Sequence, residues 1–153
     1  MDKVKQFREY TRELECHFGN MNKSDCCSCG VNESQCFIVV EIGRHPGICL
    51  KDLAQLVKID KSGVSRSVEE LVQKGYVVRE PSKEDRRAVV LSLTDVGTAR
   101  FNKIEGDMYD KFKKIWNNID KDKQEQVLEA LKIYNEACSK AEEKCCDKSD
   151  EKE

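Results

Sequence analysis

Apolar positions recur at helical spacing from Lys3 to Phe18, where Val4, Phe7, Tyr10, Thr11, Leu14 and Phe18 share one face. Gly19-Asn20 is expected to end this helix, and 22–30 reads as a polar, cysteine-laden loop. Asn32 is placed as an N-cap, with Gln35 at the third helical position of a capping box. The largely apolar run CFIVVEIGRH predicts a buried helix stopped by Pro46-Gly47. After a short link, Ile48-Cys49, the segment LKDLAQLVKI repeats Leu50, Leu53, Ala54 and Val57 at helical spacing. Asp60 then stands ready to cap KSGVSRSVEELVQKG, which turns Val64, Val68, Leu71 and Val72 inward. Its outward row is Lys61, Ser62, Ser65, Arg66 and Glu69.

At Tyr76 the period shortens. YVVREPS and AVVLSLT are rich in β-branched residues and are joined by the polar turn KEDRR, which predicts a β-hairpin. Thr94-Asp95 opens a long helix and Asp120 is expected to cap a last one. Their apolar rows (Phe101, Ile104, Met108, Phe112, Ile115; Val127, Leu131, Tyr134) exceed what a domain of this size covers by itself, so a homodimer is expected. The fold class is therefore mainly α with a small β-hairpin wing (α+β), a winged helix-turn-helix with long terminal helices forming a dimerisation layer. Residues 1–153 read as a single domain. Within it, 32–94 form the DNA-binding lobe, 1–31 and 95–146 carry dimerisation helices and cysteine clusters, and 147–153 form a frayed, disordered tail.

The composition is 37% charged and 7% aromatic, which favours thin helical layers over a thick globule. The net charge of −2 announces no polyanion partner, but its distribution changes that picture. From Lys58 to Arg100 there are nine Lys/Arg against seven Asp/Glu, and both flanks are net acidic. No stretch approaches the ~20 apolar residues of a membrane span, and the charged N-terminus lacks a signal-peptide core. A cytoplasmic protein with no membrane partner is expected. No paired acids, nucleotide loop or thioredoxin-like setting points to an enzyme, although Cys26 and Cys29 have CxxC spacing.

Two short helices, a tight turn and a basic hairpin form a device suited to double-stranded DNA. A helix fits the major groove, where Lys61, Ser62, Ser65 and Arg66 on its first turns reach base edges and phosphates. A hairpin tip bearing Lys83, Arg86 and Arg87 reaches the neighbouring minor groove. Two such readers about one DNA turn apart would read a palindromic operator.

The stretch DLAQLVKIDKSGVSRSVEELVQKGYVVREPSKEDRRAVVLSLTDVG resembles the central block of the MarR (multiple-antibiotic-resistance regulator) family, and Asp85-Arg86-Arg87 matches its wing motif. The resemblance is strong from about Glu33 to Arg100. It implies that Asp85 braces a wing arginine through a salt bridge, that the wing arginines enter the minor groove, and that first and last helices of two subunits interlace. It implies a DNA-binding transcriptional regulator, expected to repress.

The cysteine-rich loop and tail fall outside that resemblance. Nine cysteines in a reducing compartment point to metal binding or redox sensing rather than a disulfide framework. Cys26, Cys27, Cys29 and Cys36 lie within eleven residues, just after Cys16 and His17. Three or four sulfurs there would favour a soft or borderline ion: Zn(II), Cu(I), As(III), or an iron–sulfur cluster. The spacing is not that of a paired CxxC zinc finger. His17 alone reads as a surface or capping histidine. Cys138, Cys145 and Cys146 form a second cluster near the C-terminus. Cys49 stands where the family usually carries a capping Ser or Thr; it is either a small packed residue or a sensing thiol beside the reader. Cys36 is either a ligand or plain core. Three control modes follow: soft metal or metalloid binding, thiol oxidation, or the family's usual phenolic ligand with a structural metal. A metal-storage or thiol-transfer protein is the reading from a different class.

Overall fold

The computed structural model describes residues 2–23 and 30–146. The helices are α1 (Lys3–Lys23), α2 (Glu33–Arg44), α3 (Leu50–Val57), α4 (Lys61–Gln73), α5 (Asp95–Asn117) and α6 (Gln124–Cys146). The strands are β1 (Ile48–Cys49), β2 (Val77–Pro81) and β3 (Val89–Leu93). This is the expected mainly helical, winged helix-turn-helix order. The chain divides into two compact units, Met1–Gly106 and Asp107–Glu153, and α5 runs from one into the other.

Most boundaries follow from the capping chemistry. Asn32 accepts from the Gln35 amide at 2.9 Å, and Gln35 Oε1 accepts from the Asn32 amide at 3.2 Å, closing the expected capping box of α2. Asp60 caps α4 by accepting from Gly63 N at 3.0 Å. Thr94 Oγ1 accepts from Gly97 N at 3.0 Å at the head of α5. The turn between α3 and α4 is tight because Lys58 adopts a left-handed conformation, φ 52°.

Three boundaries differ from the sequence expectation. α1 continues through Gly19 to Lys23, since one glycine costs a helix only about 1 kcal/mol relative to Ala. Ile48-Cys49 is a strand rather than a link: it pairs antiparallel with β3, Ile48 opposite Leu91 and Cys49 opposite Val90. Two residues are too short to show alternation, so no sequence pattern marked it. At the other end, Lys121–Lys123 form a turn closed by Lys123 N donating to Asp120 O at 2.8 Å, so α6 begins only at Gln124. Gln124 Nε2 donates back to Trp116 O and Ile119 O, fastening that turn.

The sheet order is β1-β3-β2, antiparallel throughout. Its core side meets the inward rows of the three short helices. Ile38, Val39 and Ile42 of α2, Leu53 of α3, Val64, Val68 and Leu71 of α4, Val77 of β2 and Leu91 of β3 are all fully buried. Removing these side chains from water supplies the main drive for folding, about 1.5–3 kcal/mol for each large aliphatic group. Phe101 and Ile104 pack half-buried against this core. Part of the α5 row is thus covered within its own subunit. Phe112, Ile115 and Leu131 remain exposed, as do Val4, Phe7, Tyr10, Leu14 and Phe18 on α1.

Candidate nucleic-acid interface

The α4 helix is anchored by its apolar row, which leaves the opposite row outside. Lys61, Ser62 and Arg66 are exposed and Ser65 is half-buried. The spacing 61, 62, 65, 66, 69 keeps these residues on one helical face. Glu69, at the far end of that row, pairs with Arg79 Nη1 of β2 at 3.1 Å. This exposed ion pair ties the wing strand to α4, and it went unseen in the sequence because it depends on how hairpin and helix pack. Its negative charge is answered locally and does not face outward alone.

The wing tip is ordered by its own polar side chains. Ser82 Oγ accepts from the amides of Glu84 and Asp85 at 3.2 and 3.4 Å. Ser82 N donates to Ala88 O at 2.8 Å and Ala88 N to Asp85 O at 3.0 Å. Asp85 Oδ1 accepts from the Arg87 backbone N–H at 2.9 Å. The Asp85 brace therefore runs through the main chain: it fixes the loop that presents Arg86 and Arg87, and no ion pair joins it to either guanidinium. Lys83, Arg86 and Arg87 are exposed. Among the described residues, Lys61, Arg66, Lys83, Arg86 and Arg87 make no ion pair, whereas Arg12, Arg44 and Arg79 each have a carboxylate.

The cysteines are distributed differently. Cys49 Sγ accepts from Asp52 N at 3.4 Å, so the thiol does serve as the N-cap of α3, and its residue is half-buried. Cys36 packs half-buried against the core, Cys16 is exposed on α1, and Cys138 is half-buried on α6. Cys145 and Cys146 fall in the last turn of α6. Cys26, Cys27 and Cys29, the centre of the expected metal site, lie outside the described residues. Among the described residues no three His, Cys, Asp or Glu side chains converge as a metal site. No described helix is long and apolar enough to cross a membrane.

The burial of one polar side chain, with partners at the surface, was not legible in the sequence. Gln35, the capping-box residue, is 1% exposed and is the only buried polar residue among those described. Its Nε2 donates to Glu70 Oε2 and its Oε1 also accepts from Lys74 Nζ at 2.9 Å. Lys74 Nζ donates in addition to Gly30 O at 2.9 Å. The capping pattern revealed Gln35, but nothing in the sequence paired it with α4.

An exposed, three-helix reader with a braced basic hairpin beside it defines a winged helix-turn-helix protein. A MarR family model matches residues 30–88, which spans the reader and most of the wing. The HTH-type transcriptional regulator BilQ of Clostridium symbiosum (strain WAL-14163) is 28% identical over 125 residues, 82% of this chain and 87% of that protein. The HTH-type transcriptional repressor MdtR of Bacillus subtilis (strain 168) is 29% identical over 75 residues, 49% of this chain and 48% of its own length. The crystal structure of Streptococcus pneumoniae FabT in complex with DNA superposes with a TM-score of 0.80 at 18% identity, covering 88% of this chain and 99% of FabT. In its reader and wing the chain is similar to MarR-family regulators, and it has the winged-helix fold.

Proposed function

We propose that this regulator binds palindromic double-stranded DNA as a homodimer and represses transcription there. In each subunit α4 enters the major groove, where Ser62, Ser65 and Arg66 meet base edges and Lys61 meets phosphate. The wing places Arg86 and Arg87 in the adjacent minor groove, with Lys83 on the backbone. The observation that carries this reading is the set of five cations on the α4 row and wing tip that lack a carboxylate partner, on a scaffold that holds both elements rigidly. The kinship with MdtR, named a repressor, and the likeness of the fold to FabT, solved on DNA, support it. The exposed apolar faces of α1 and of the second unit support a homodimer.

DNA affinity is set by a soft metal or metalloid ion held on cysteine thiolates. The support is chemical: three of the nine thiols stand at 26, 27 and 29, a donor set that suits Zn(II), Cu(I) or As(III) over hard cations. The described residues alone do not complete such a set, so the ion would rest on that segment.

Binding is tested on an operator fragment that the protein itself selects from random duplex DNA. Arg86→Ala/Arg87→Ala is expected to lower affinity across sequences and to reduce the slope of log K against log[salt] by about 2. An unchanged slope would remove the wing from the interface. Anaerobic titration with Zn(II), Cu(I) and As(III) is expected to bind one of these ions stoichiometrically and to shift operator affinity at least about tenfold, within the usual range of coupling between sites. Release of DNA by peroxide alone, from metal-free protein, would instead assign the thiols to redox sensing.

A further inference from the structure

The proposed contact with DNA asks two elements to act at once, α4 in the major groove and the wing tip in the minor groove beside it. What fixes one against the other can be traced along the hairpin. Val77 of β2 and Leu91 of β3 are buried and root the ribbon in the lobe core. β1 flanks β3 only as far as Cys49 opposite Val90, and Val90 stands opposite Glu80. Beyond that rung the wing is a two-stranded ribbon, and Pro81 and Val89 are exposed. Such a ribbon is marginal by itself. Lys83 lies four residues past Arg79, about 13 Å further along at ~3.3 Å per residue. A small tilt at Arg79 is therefore a large displacement at the tip.

Residues two apart on a strand share a face, so Arg79 leaves the sheet on the side of buried Val77. Its Nη1 meets Glu69 Oε2 of α4 at 3.1 Å, one rung before the third strand ends. Among the described residues no other ion pair joins the hairpin to α4. Glu69 also closes the outward row of α4 that begins at Lys61 and Ser62. There its carboxylate faces the DNA side, where plain electrostatics opposes binding to any duplex. Holding the wing and repelling phosphate are effects of opposite sign, which makes them separable.

We propose that Glu69 and Arg79 are positioning residues for operator recognition: their ion pair sets the angle of the wing against α4, so that both grooves are engaged together. This rests on the DNA-binding reading above and adds how its two halves are held in register.

The test uses full-length protein, the selected operator fragment and an unrelated duplex of equal length. Glu69→Gln removes one negative charge from the DNA face. If charge alone matters, this variant binds both duplexes more tightly than wild type. Positioning predicts the opposite for the operator: about three- to fivefold weaker binding, the scale of one exposed ion pair, with no weakening on the unrelated duplex. The same substitution is then placed in two altered backgrounds, Arg79→Gln and Arg86→Ala/Arg87→Ala. With no partner, or with no wing arginines to position, the operator loss should vanish. Persistence of the loss in either background would overturn the proposal. So would operator affinity of Glu69→Gln equal to or above that of wild type, and both results would leave the DNA-binding reading standing. Failure of wild type to select any duplex would overturn that reading and the proposal with it. Urea midpoints guard against unfolding, and because the pair is exposed Glu69→Gln should stay close to wild type. Should its midpoint fall, Glu69→Asp takes its place. It keeps the charge and shortens the arm by one methylene, and unchanged operator affinity there would reject the proposal.

Discussion

Gly97 offers the sharpest energetic test of how the reader is joined to α5. A Cβ built on Gly97 would lie 2.0 Å from the carbonyl oxygen of Tyr76 and 2.9 Å from its carbonyl carbon. These are backbone atoms and cannot swing aside as a side chain would. The same carbonyl accepts from Thr94 N at 3.0 Å, and Thr94 Oγ1 donates to Gly75 O at 2.6 Å. In Gly97→Ala the first turn of α5 must therefore retreat from the α4–β2 turn, which strains packing and stretches these bonds. Overpacking at the upper end of its usual range contributes about 3 kcal/mol, loss of one hydrogen bond about 1, and the better helix propensity of Ala returns about 1. The net expectation is a loss of about 3 kcal/mol, or roughly 6–12 °C in Tm for a chain of this size. Gly106, on the same helix, is the internal control. A Cβ there meets nothing within 4 Å, so Gly106→Ala should gain up to about 1 kcal/mol. Urea denaturation followed by far-ultraviolet circular dichroism at one fixed protein concentration measures both. If Gly97→Ala unfolds at the wild-type midpoint, the close approach of α5 to Tyr76 is wrong.

Three further outcomes are expected. Cys49→Ser should raise stability by about 0.5–1 kcal/mol in thermal unfolding, because a hydroxyl is a stronger N-cap than the thiol that now accepts from Asp52 N at 3.4 Å. Asp60→Ala should cost about 1 kcal/mol through loss of the bond from Gly63 N, and should weaken operator binding as the first turn of α4 frays. Asp85→Ala should leave the urea midpoint unchanged while lowering operator affinity about fivefold, equivalent to roughly 1 kcal/mol for one hydrogen bond that orders the wing loop.

The reader was legible in the sequence because its signals are local. Capping residues at Asn32, Asp60 and Thr94, inward rows at three- and four-residue spacing, and a switch to alternating β-branched runs each act within one element. They placed α2, α3, α4 and the hairpin to within a residue or two. What escaped depends on contacts between elements. The strand Ile48-Cys49 exists because Leu91 and Val90 lie opposite it, and the Glu69–Arg79 pair exists because β2 packs beside α4. Phe101 and Phe112 look alike in the α5 pattern, yet only Phe101 meets the reader core. The thiols pose a further difficulty: a soft-ion site is defined by convergence in space, and spacing along the chain only bounds which sulfurs can meet.

Several contacts between elements converge on the end of the reader helix. Lys74 and Gly75 end the reader helix; Gly75, at φ 77°, turns the chain into β2. Gly75 O receives the Thr94 hydroxyl from the head of α5, and Lys74 reaches the segment that precedes α2. Phe101, one helical turn beyond Gly97, lies so close to Gly43 of α2 that a Cβ there would fall 2.6 Å from its ring, and Arg44 pairs with Glu105 at 3.0 Å. The first half of α5 is thus fastened to both α2 and the end of α4. An effector that shifts α5 has no compliant joint through which to bend α4 alone, so it must carry the lobe as a body.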